Sequence, residues 1–372
     1  MKVVHIASAD LWGGAEAQVA ALARALAHAS VEVSVILMNP GSRLGQELRA
    51  GGVPTLELNE RETGTLGLFR QVRQHLRQIR PDIVHTHRQK EDIIGGVAAA
   101  LTGVPSLRTV HGAPEPGLSV GARRKVLSRV DQWVARSLQS RAVAVSSDLA
   151  DKLRVQFPGA RLTVVPNGVS FAAMREAAGA EVPPLPRSSA SSVRVGFFGR
   201  LVAVKRVDLL LQVAHELACR DAQPFDFYIV GEGPLQAALA EQAQRIRSPE
   251  RVHFLGYQPN SIGLMRQMDA VTLVSDHEGL PMVLLEAAVL GVPILARAVG
   301  GIPEFMRSVA RGQLLTGADP KDIAAQFLGA NLKDFASPGW SPEKTSLAGY
   351  SIEATSERYL GLYKEVIAAY RA

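Results

Sequence analysis

Short apolar runs alternate with segments of helical period along almost the whole chain. Residues 3–7 (VVHIA), 31–37 and 82–87 are too short to span a membrane, are rich in Val and Ile, and predict buried strands, with a short third strand at 55–58. Between them, 15–29 is alanine-rich, 42–51 opens on a serine, and 66–79 places Leu68, Val72, Leu76 and Ile79 on one face before Pro81 stops the helix. The alternation continues through helix 91–103, strand 106–111, helix 123–138, strand 142–146, helix 148–157 and strand 162–165. Residues 179–192 (GAEVPPLPRSSASS) have no period and read as a linker. The pattern then restarts with strand 193–198, helix 207–219, strand 225–230, helix 235–246, strand 252–255, helix 261–268 and strand 270–274. Helix 282–290, strand 292–296 and further strand–helix units follow to about residue 329.

Strand alternating with helix predicts parallel sheets covered by helices on both faces. The 372 residues are enough for two such bodies. The expectation is an α/β chain of two Rossmann-like domains, 1–170 and 193–350, joined through 179–192. The last segment, 352–370, carries Tyr359, Leu362, Tyr363, Val366 and Ile367 on one face, so this helix must pack on something.

Candidate chemistry gathers at the carboxyl ends of the predicted strands, where open parallel sheets bind ligands. Gly13 and Gly14 lie between the first strand and its helix, where backbone N–H groups can approach an anion. The full G-x-G-x-x-G fingerprint is absent, so a nicotinamide cofactor is not supported. Gly199-Arg200-Leu201, with Lys205 five residues after Arg200, follows the first strand of the second half. An arginine fork and a lysine point charge there suit a departing diphosphate. The stretch 269–304 places Glu278 in a loop and Glu286 within the next helix, with Gly279, Leu280 and Pro281 between. Beside cations, ionised carboxylates suit hydroxyl groups of a sugar or ribose better than acid–base work. Gly231-Glu232-Gly233-Pro234 and Pro166-Asn167-Gly168 read as structural turns, the second suited to positive φ.

His85 and His87 share one face of a strand at a spacing that could chelate a metal, but no third ligand of suitable spacing and no D-x-D motif is present. No metal and no cofactor are therefore expected. His111, at the end of its strand, is the better cleft residue. Ser146-Ser147 lacks a nucleophile elbow, which disfavours a hydrolase.

Composition narrows the setting. The chain is 47% hydrophobic and 20% charged, as in soluble globular proteins. One cysteine, Cys219, excludes an internal disulfide framework, and the first residues lack the apolar core of a signal peptide. A cytoplasmic location is expected. Of the net charge of +6, residues 1–175 carry 22 Lys and Arg against 14 Asp and Glu. That basic half could face an anionic membrane surface through Arg123, Arg124, Lys125 and Arg129, or simply be a solvated helix face. At 5% aromatic residues, no stacking platform for nucleic acid is expected.

Together the motifs GGAE (13–16), TVHG (109–112), VVPNGV (164–169), GRLVAVK (199–205), IVGEGP (229–234) and EGLPMVLLE (278–286) resemble those of the retaining GT-B glycosyltransferases of glycosyltransferase family 4. The likeness covers essentially the whole chain. It implies two Rossmann-like domains facing across a cleft, with the C-terminal helix (352–372) crossing back to the first, acceptor-binding domain. It also implies a nucleotide-sugar donor, usually UDP-linked, held mainly by the second domain, and a glycan or lipid-linked acceptor as in surface polysaccharide or glycolipid assembly. By resemblance, Arg200 and Lys205 hold the diphosphate, Glu286 the ribose, and Glu278 the donor sugar. Gly14 lends N–H groups to the phosphate, His111 lies beside the sugar, and Gly279 and Leu280 complete the pocket. Retention without metal is implied, the leaving phosphate oxygen taking the acceptor's proton. Two departures stand near the site: Ser170 where the family often has Asp, and Arg206 where it often has Gly. The segment 85–94 (HTHRQKEDII) is also more charged than usual and is expected to face the acceptor. A UDP-sugar epimerase or a non-catalytic nucleotide-sugar-binding subunit are the rival readings.

Overall fold

The computed structural model describes all residues except 9–11, 113–121, 221–223, 310, 331 and 333–339, and omits the side chains of 122–124. The basic cluster therefore keeps Lys125 and Arg129, both exposed, while Arg123 and Arg124 lie outside the described side chains. The chain divides into two compact units, Met1–Gly168 with Tyr350–Ala372, and Val169–Gly349.

The first unit holds a seven-stranded parallel sheet: β1 (Lys2–Ala7), β2 (Glu32–Leu37), β3 (Thr55–Glu57), β4 (Ile83–Thr86), β5 (Ser106–Val110), β6 (Arg141–Ala144) and β7 (Leu162–Val164). Their order is β3-β2-β1-β4-β5-β6-β7, so the direction of winding reverses between β1 and β4. Odd-numbered positions of β1 and β4 point to one face and even-numbered positions to the other, as the period of two requires. Val3, Ala7 and Ile83 join the core under helices Gly14–His28 and Ile352–Arg371, whereas Val4, Ile6 and Val84 pack under helix Glu60–Ile79. The latter begins earlier than the apolar spacing suggests, because Gly64 at φ 63°, ψ 178° joins a short polar turn of helix to the apolar one.

The C-terminal helix, Ile352–Arg371, buries Ile352, Tyr359, Leu362, Tyr363 and Val366 in this unit. Each such side chain is worth roughly 1.5–3 kcal/mol when fully buried. Its N-terminal turn packs on the PNG turn. A Cβ at Gly168 would lie 2.6 Å from the Ser351 carbonyl oxygen and 2.4 Å from Thr355 Oγ1. Close approach, and not the positive φ expected from Asn-Gly, is what requires this glycine: Gly168 is not among the positive-φ residues.

The second unit holds β8 (Val193–Phe198), β9 (Phe225–Val230), β10 (Val252–Gly256), β11 (Ala270–Leu273), β12 (Ile294–Arg297) and β13 (Gly312–Leu315). Their order is β10-β9-β8-β11-β12-β13, all parallel, reversing between β8 and β11. Residues 179–192, expected to link the two halves, are bound into this unit. Gln267 accepts from the Leu185 N–H at 3.3 Å and donates to the Pro183 carbonyl at 3.0 Å. Ser188 N–H and Ser192 Oγ both donate to Asp226, at 2.9 and 2.6 Å. Helix Phe171–Gly179, which the sequence pattern does not announce, is capped by Ser170, whose side chain accepts from Ala173 N–H at 3.3 Å. Serine caps a helix as well as aspartate does, which accounts for the departure at this position.

Candidate functional site

In the second unit the expected residues assemble around the reversal point of the sheet. Arg200 and Lys205 follow β8, Glu278 follows β11, and these strands are neighbours. The loop after β8 tightens into a 3-10 turn, Ala203–Lys205, and Arg206 then takes the left-handed conformation at φ 50°, ψ 42° before helix Val207–Ala218 begins. This is a position where glycine is the unstrained choice, which explains the family's preference. Here Arg206 donates to Asp208 at 3.2 Å and to Asp276 at 3.1 and 3.3 Å, tying the β8 loop to the β11 loop. Arg297 donates to Asp276 as well, at 2.9 Å. Asp276 is thus a shared anchor that the sequence motifs gave no reason to single out.

Lys205 Nζ donates to Glu278 Oε1 at 2.6 Å, and Ser275 Oγ donates to the same oxygen at 2.6 Å. Both bonds fall on Oε1, leaving Oε2 to accept from another donor. The two motif residues expected to hold different parts of a ligand are therefore paired with each other in the free chain. Arg200, half-buried, makes no ion pair or side-chain hydrogen bond among the described residues. Glu286 lies in helix Met282–Leu290, partly buried, and burial alone raises its carboxyl to about 7.

Backbone packing fixes the loop that carries Glu278. Gly300 adopts φ +57°, and a Cβ there would sit 1.8 Å from the Glu278 carbonyl oxygen. Gly301 N–H donates to the Gly279 carbonyl at 3.0 Å. Only glycine meets both the conformation and the space at residue 300. Leu280 is buried, and Gly279 is held through its carbonyl. The GEGP turn holds the other loop: Leu201 N–H donates to the Glu232 carbonyl at 2.9 Å, and Leu235 N–H to the Leu201 carbonyl at 3.2 Å. Gly199 N–H is held by the Val230 carbonyl at 2.9 Å. These bonds agree with a structural turn.

In the first unit, Gly13 is the N-cap of helix Gly14–His28, extended at φ −160°, and makes no side-chain capping bond. Glu16, in the first helical turn, is buried and ion-paired with Arg88. His111 follows β5. Close by are three more histidines, His5, His85 and His87. The third ring that the sequence spacing did not reveal is His5: one nitrogen of each lies within 4.8 Å of the others. All three are engaged. His85 Nδ1 pairs with Tyr363 Oη and Nε2 with Thr109 Oγ1, both at 2.7 Å, and His5 Nδ1 meets His87 Nε2 at 2.9 Å. A cation here would have to displace these bonds. Burial holds His5 down to about 3 and His111 to about 4, so the rings are neutral. The signal for His5 was present, since it is the one polar residue inside the apolar run VVHIA.

The charged segment 85–94 makes its observed pairs within the first unit. Lys90 pairs with Glu60, Arg88 with Glu16, and Gln89 donates to Asp131. Asp92 accepts from Thr86 at 2.5 Å and lies 3.4 Å from Arg108. Glu91 is fully buried, both carboxyl oxygens are without a partner among the described residues, and burial pushes it up to about 8. These pairs tie the segment to the rest of the first unit, with Arg88 and Gln89 still exposed.

Comparison with known proteins agrees with this layout. Residues 12–172 match the family described as Glycosyltransferase Family 4, and residues 192–330 match Glycosyl transferases group 1. The chain is 32% identical over 289 residues to D-inositol 3-phosphate glycosyltransferase of Nocardia farcinica, covering 71% of this chain and 62% of that protein. It is 31% identical over 264 residues to glycogen synthase of Mycobacterium tuberculosis, covering 67% of this chain and 59% of that one. The chain thus spans about three fifths of the length of these two curated relatives. Among solved structures, Anabaena Alr3699/HepE in complex with UDP and glucose superposes with a TM-score of 0.79 at 21% identity, over 98% of this chain and 100% of that one. That likeness shows the fold.

Proposed function

Because the chain belongs to the group 1 glycosyl transferases, with a family 4 first unit, we propose that it is a retaining glycosyltransferase that moves a sugar from a nucleotide-sugar donor, a UDP-sugar, to a glycan or lipid-linked acceptor. The observation that carries this reading is that Arg200, without an anionic partner among the described residues, lies on the same loop after β8 as Lys205, which is bonded to Glu278 at the reversal point of the second sheet. A diphosphate needs cations, and a sugar needs acceptors for its hydroxyls. In this reading Arg200 and Lys205 hold the leaving diphosphate without a metal, Glu278 accepts from the donor sugar, and Glu286 accepts from the ribose. Gly199, Gly279 and Leu280 shape the pocket, Gly13 and Gly14 lend N–H groups to phosphate, and His111 contacts the sugar. The cationic clamp stabilises charge as the bond to the leaving phosphate breaks, and that phosphate oxygen takes the acceptor's proton. Surface polysaccharide or glycolipid assembly at the cytoplasmic face of a membrane fits the exposed Lys125 and Arg129 with Val126, Val130 and Trp133 on helix Ala122–Ser137. No helix among the described residues is long and apolar enough to cross a membrane. The deciding experiment is a panel of nucleotide sugars, following nucleotide release with and without anionic liposomes carrying lipid-linked acceptors. Release dependent on both one donor and an acceptor is expected; no release with any pair sinks the reading.

Calorimetry separates the two carboxylates. Glu278→Ala should weaken binding of the nucleotide sugar while, by freeing Lys205, leaving that of the free nucleotide no weaker, whereas Glu286→Ala should weaken both by about 1–2 kcal/mol. Because burial raises Glu286 to about 7, its carboxylate is protonated below that pH and accepts hydroxyl hydrogens more weakly. Free-nucleotide affinity should therefore rise by up to about tenfold between roughly pH 6 and 8. Glu286→Gln removes this rise and leaves only the titration of the nucleotide's own phosphate. An identical pH profile in both proteins would remove Glu286 from the ribose site.

A further inference from the structure

His5, His87 and His111 form a row. His5 Nδ1 meets His87 Nε2 at 2.9 Å, and His87 Nδ1 meets His111 Nε2 at 3.3 Å. Ring centroids are 5.1 and 5.5 Å apart with interplanar angles of 10° and 24°. At those nitrogen separations the centroid distances are those of rings meeting edge to edge, not stacked face on face. His85 stands outside the row, its centroid 4.1 Å from that of His87, with both nitrogens used by Tyr363 and Thr109.

A row of neutral imidazoles has only two fully bonded states, because each ring carries one N–H. In one, every ring is protonated at Nδ1, and each N–H points toward His111. In the other, every ring is protonated at Nε2, and each points toward His5. The two outer nitrogens, His5 Nε2 and His111 Nδ1, are buried and without partners among the described residues. Each state therefore leaves one unpartnered N–H, at one end or the other. His5 is fully buried inside β1, where nothing can reach it, while His111 is partly exposed at the end of β5. An orphaned N–H costs more than a bare acceptor, so the proton belongs at the end nearer the surface.

We propose that His87, backed by His5, is a positioning residue that locks His111 in its Nδ1–H tautomer, making it a neutral donor for an acceptor oxygen on the bound sugar nucleotide. The role at the sugar rests on the proposed transferase function; the tautomer does not. Burial, with Arg88 adding a smaller effect on His111, keeps these rings from charging near neutral pH. The groups facing the row are His85, Arg88 and, through Thr109, Tyr359.

The test uses the full chain labelled with 15N-histidine, His111→Asn serving to assign the His111 signals. Long-range proton–nitrogen correlations are expected to show His111, His87 and His5 all protonated at Nδ1. An Nε2–H tautomer, or an imidazolium, at His111 overturns the proposal. His87→Asp puts a carboxylate where Nδ1 stood and should draw the His111 proton to Nε2. With the active donor, kcat should then fall by about tenfold or more while the KM for donor changes less than about threefold. His87→Asn keeps an N–H directed at His111 and should restore kcat to within about threefold of the unsubstituted chain. Equal loss in both variants would mark His87 as merely structural and overturn the positioning role. If no donor is turned over at all, the proposed function fails, and the nitrogen spectra still decide the tautomer.

Discussion

Replacing Arg200 by alanine should lower turnover at saturating donor by two or more orders of magnitude, about 3 kcal/mol or more, by analogy with loss of a single oxyanion donor. The expectation rests on a contrast between two cations of one motif. Lys205 is already compensated by Glu278 at 2.6 Å, so part of its charge is spent in the free chain. Arg200, five residues earlier in the same loop after β8, meets no anion among the described residues. Its charge is fully available when a bond to a diphosphate breaks and negative charge grows on the leaving oxygens. Arg200→Lys should recover only a minor part, since a point charge cannot replace a planar fork. Steady-state kinetics with the donor identified by the panel is the measurement. Near-normal turnover in Arg200→Ala would take the residue out of the mechanism.

The largest expected effect on stability lies in the first unit. Arg108 on β5 is 1% exposed, bonded to Asp131 at 2.5 Å and to Gln139, with Asp92 at 3.4 Å. Burial pushes Asp92 up to about 7, with Arg108 pulling the other way. Removing the guanidinium leaves the Asp131 and Asp92 carboxyl groups in a dry interior without their counter-charge, and lifts the pull that holds Asp92 down. Arg108→Met should therefore cost about 3–5 kcal/mol, the usual consequence of breaking a buried pair from one side. Urea denaturation followed by tryptophan fluorescence measures it. A loss below about 1 kcal/mol would mean that water reaches the site and carries the charge. Replacing Arg108, Asp92 and Asp131 together by apolar residues of similar size should be far milder.

The layered α/β architecture was legible because buried parallel strands have no polar face to confuse their pattern: β8, β9 and helix Met282–Leu290 fall on the residues their apolar runs predict. Glycine-bounded loops placed Arg200, Lys205 and Glu278 at strand ends for the same reason. What periodicity could not give was partnership. Nothing in the spacing of Lys205 and Glu278, 73 residues apart, says that they touch. Nor does the charge of segment 85–94 reveal that its partners, such as Glu16 and Glu60, are internal. Helix Phe171–Gly179 escaped because it buries only Phe171 and Met174, too few to mark a period. Arg206 departs from the family without disturbing the fold, because its side chain finds Asp208 and Asp276 from a strained backbone.

The Lys205–Glu278 pair has one more consequence. In the free chain the two charges quench each other, so a diphosphate reaching Lys205 does not meet an idle cation; it must evict a carboxylate. The gain is then the difference between two ion pairs, which moderates affinity for any anion. Once displaced, Glu278 is 8% exposed and needs new donors. A ligand bringing both phosphate and sugar hydroxyls supplies them, whereas inorganic diphosphate leaves the carboxylate with the Ser275 hydroxyl alone. Discrimination between a nucleotide sugar and the bare anions of the cell is thus built into a contact made before either arrives.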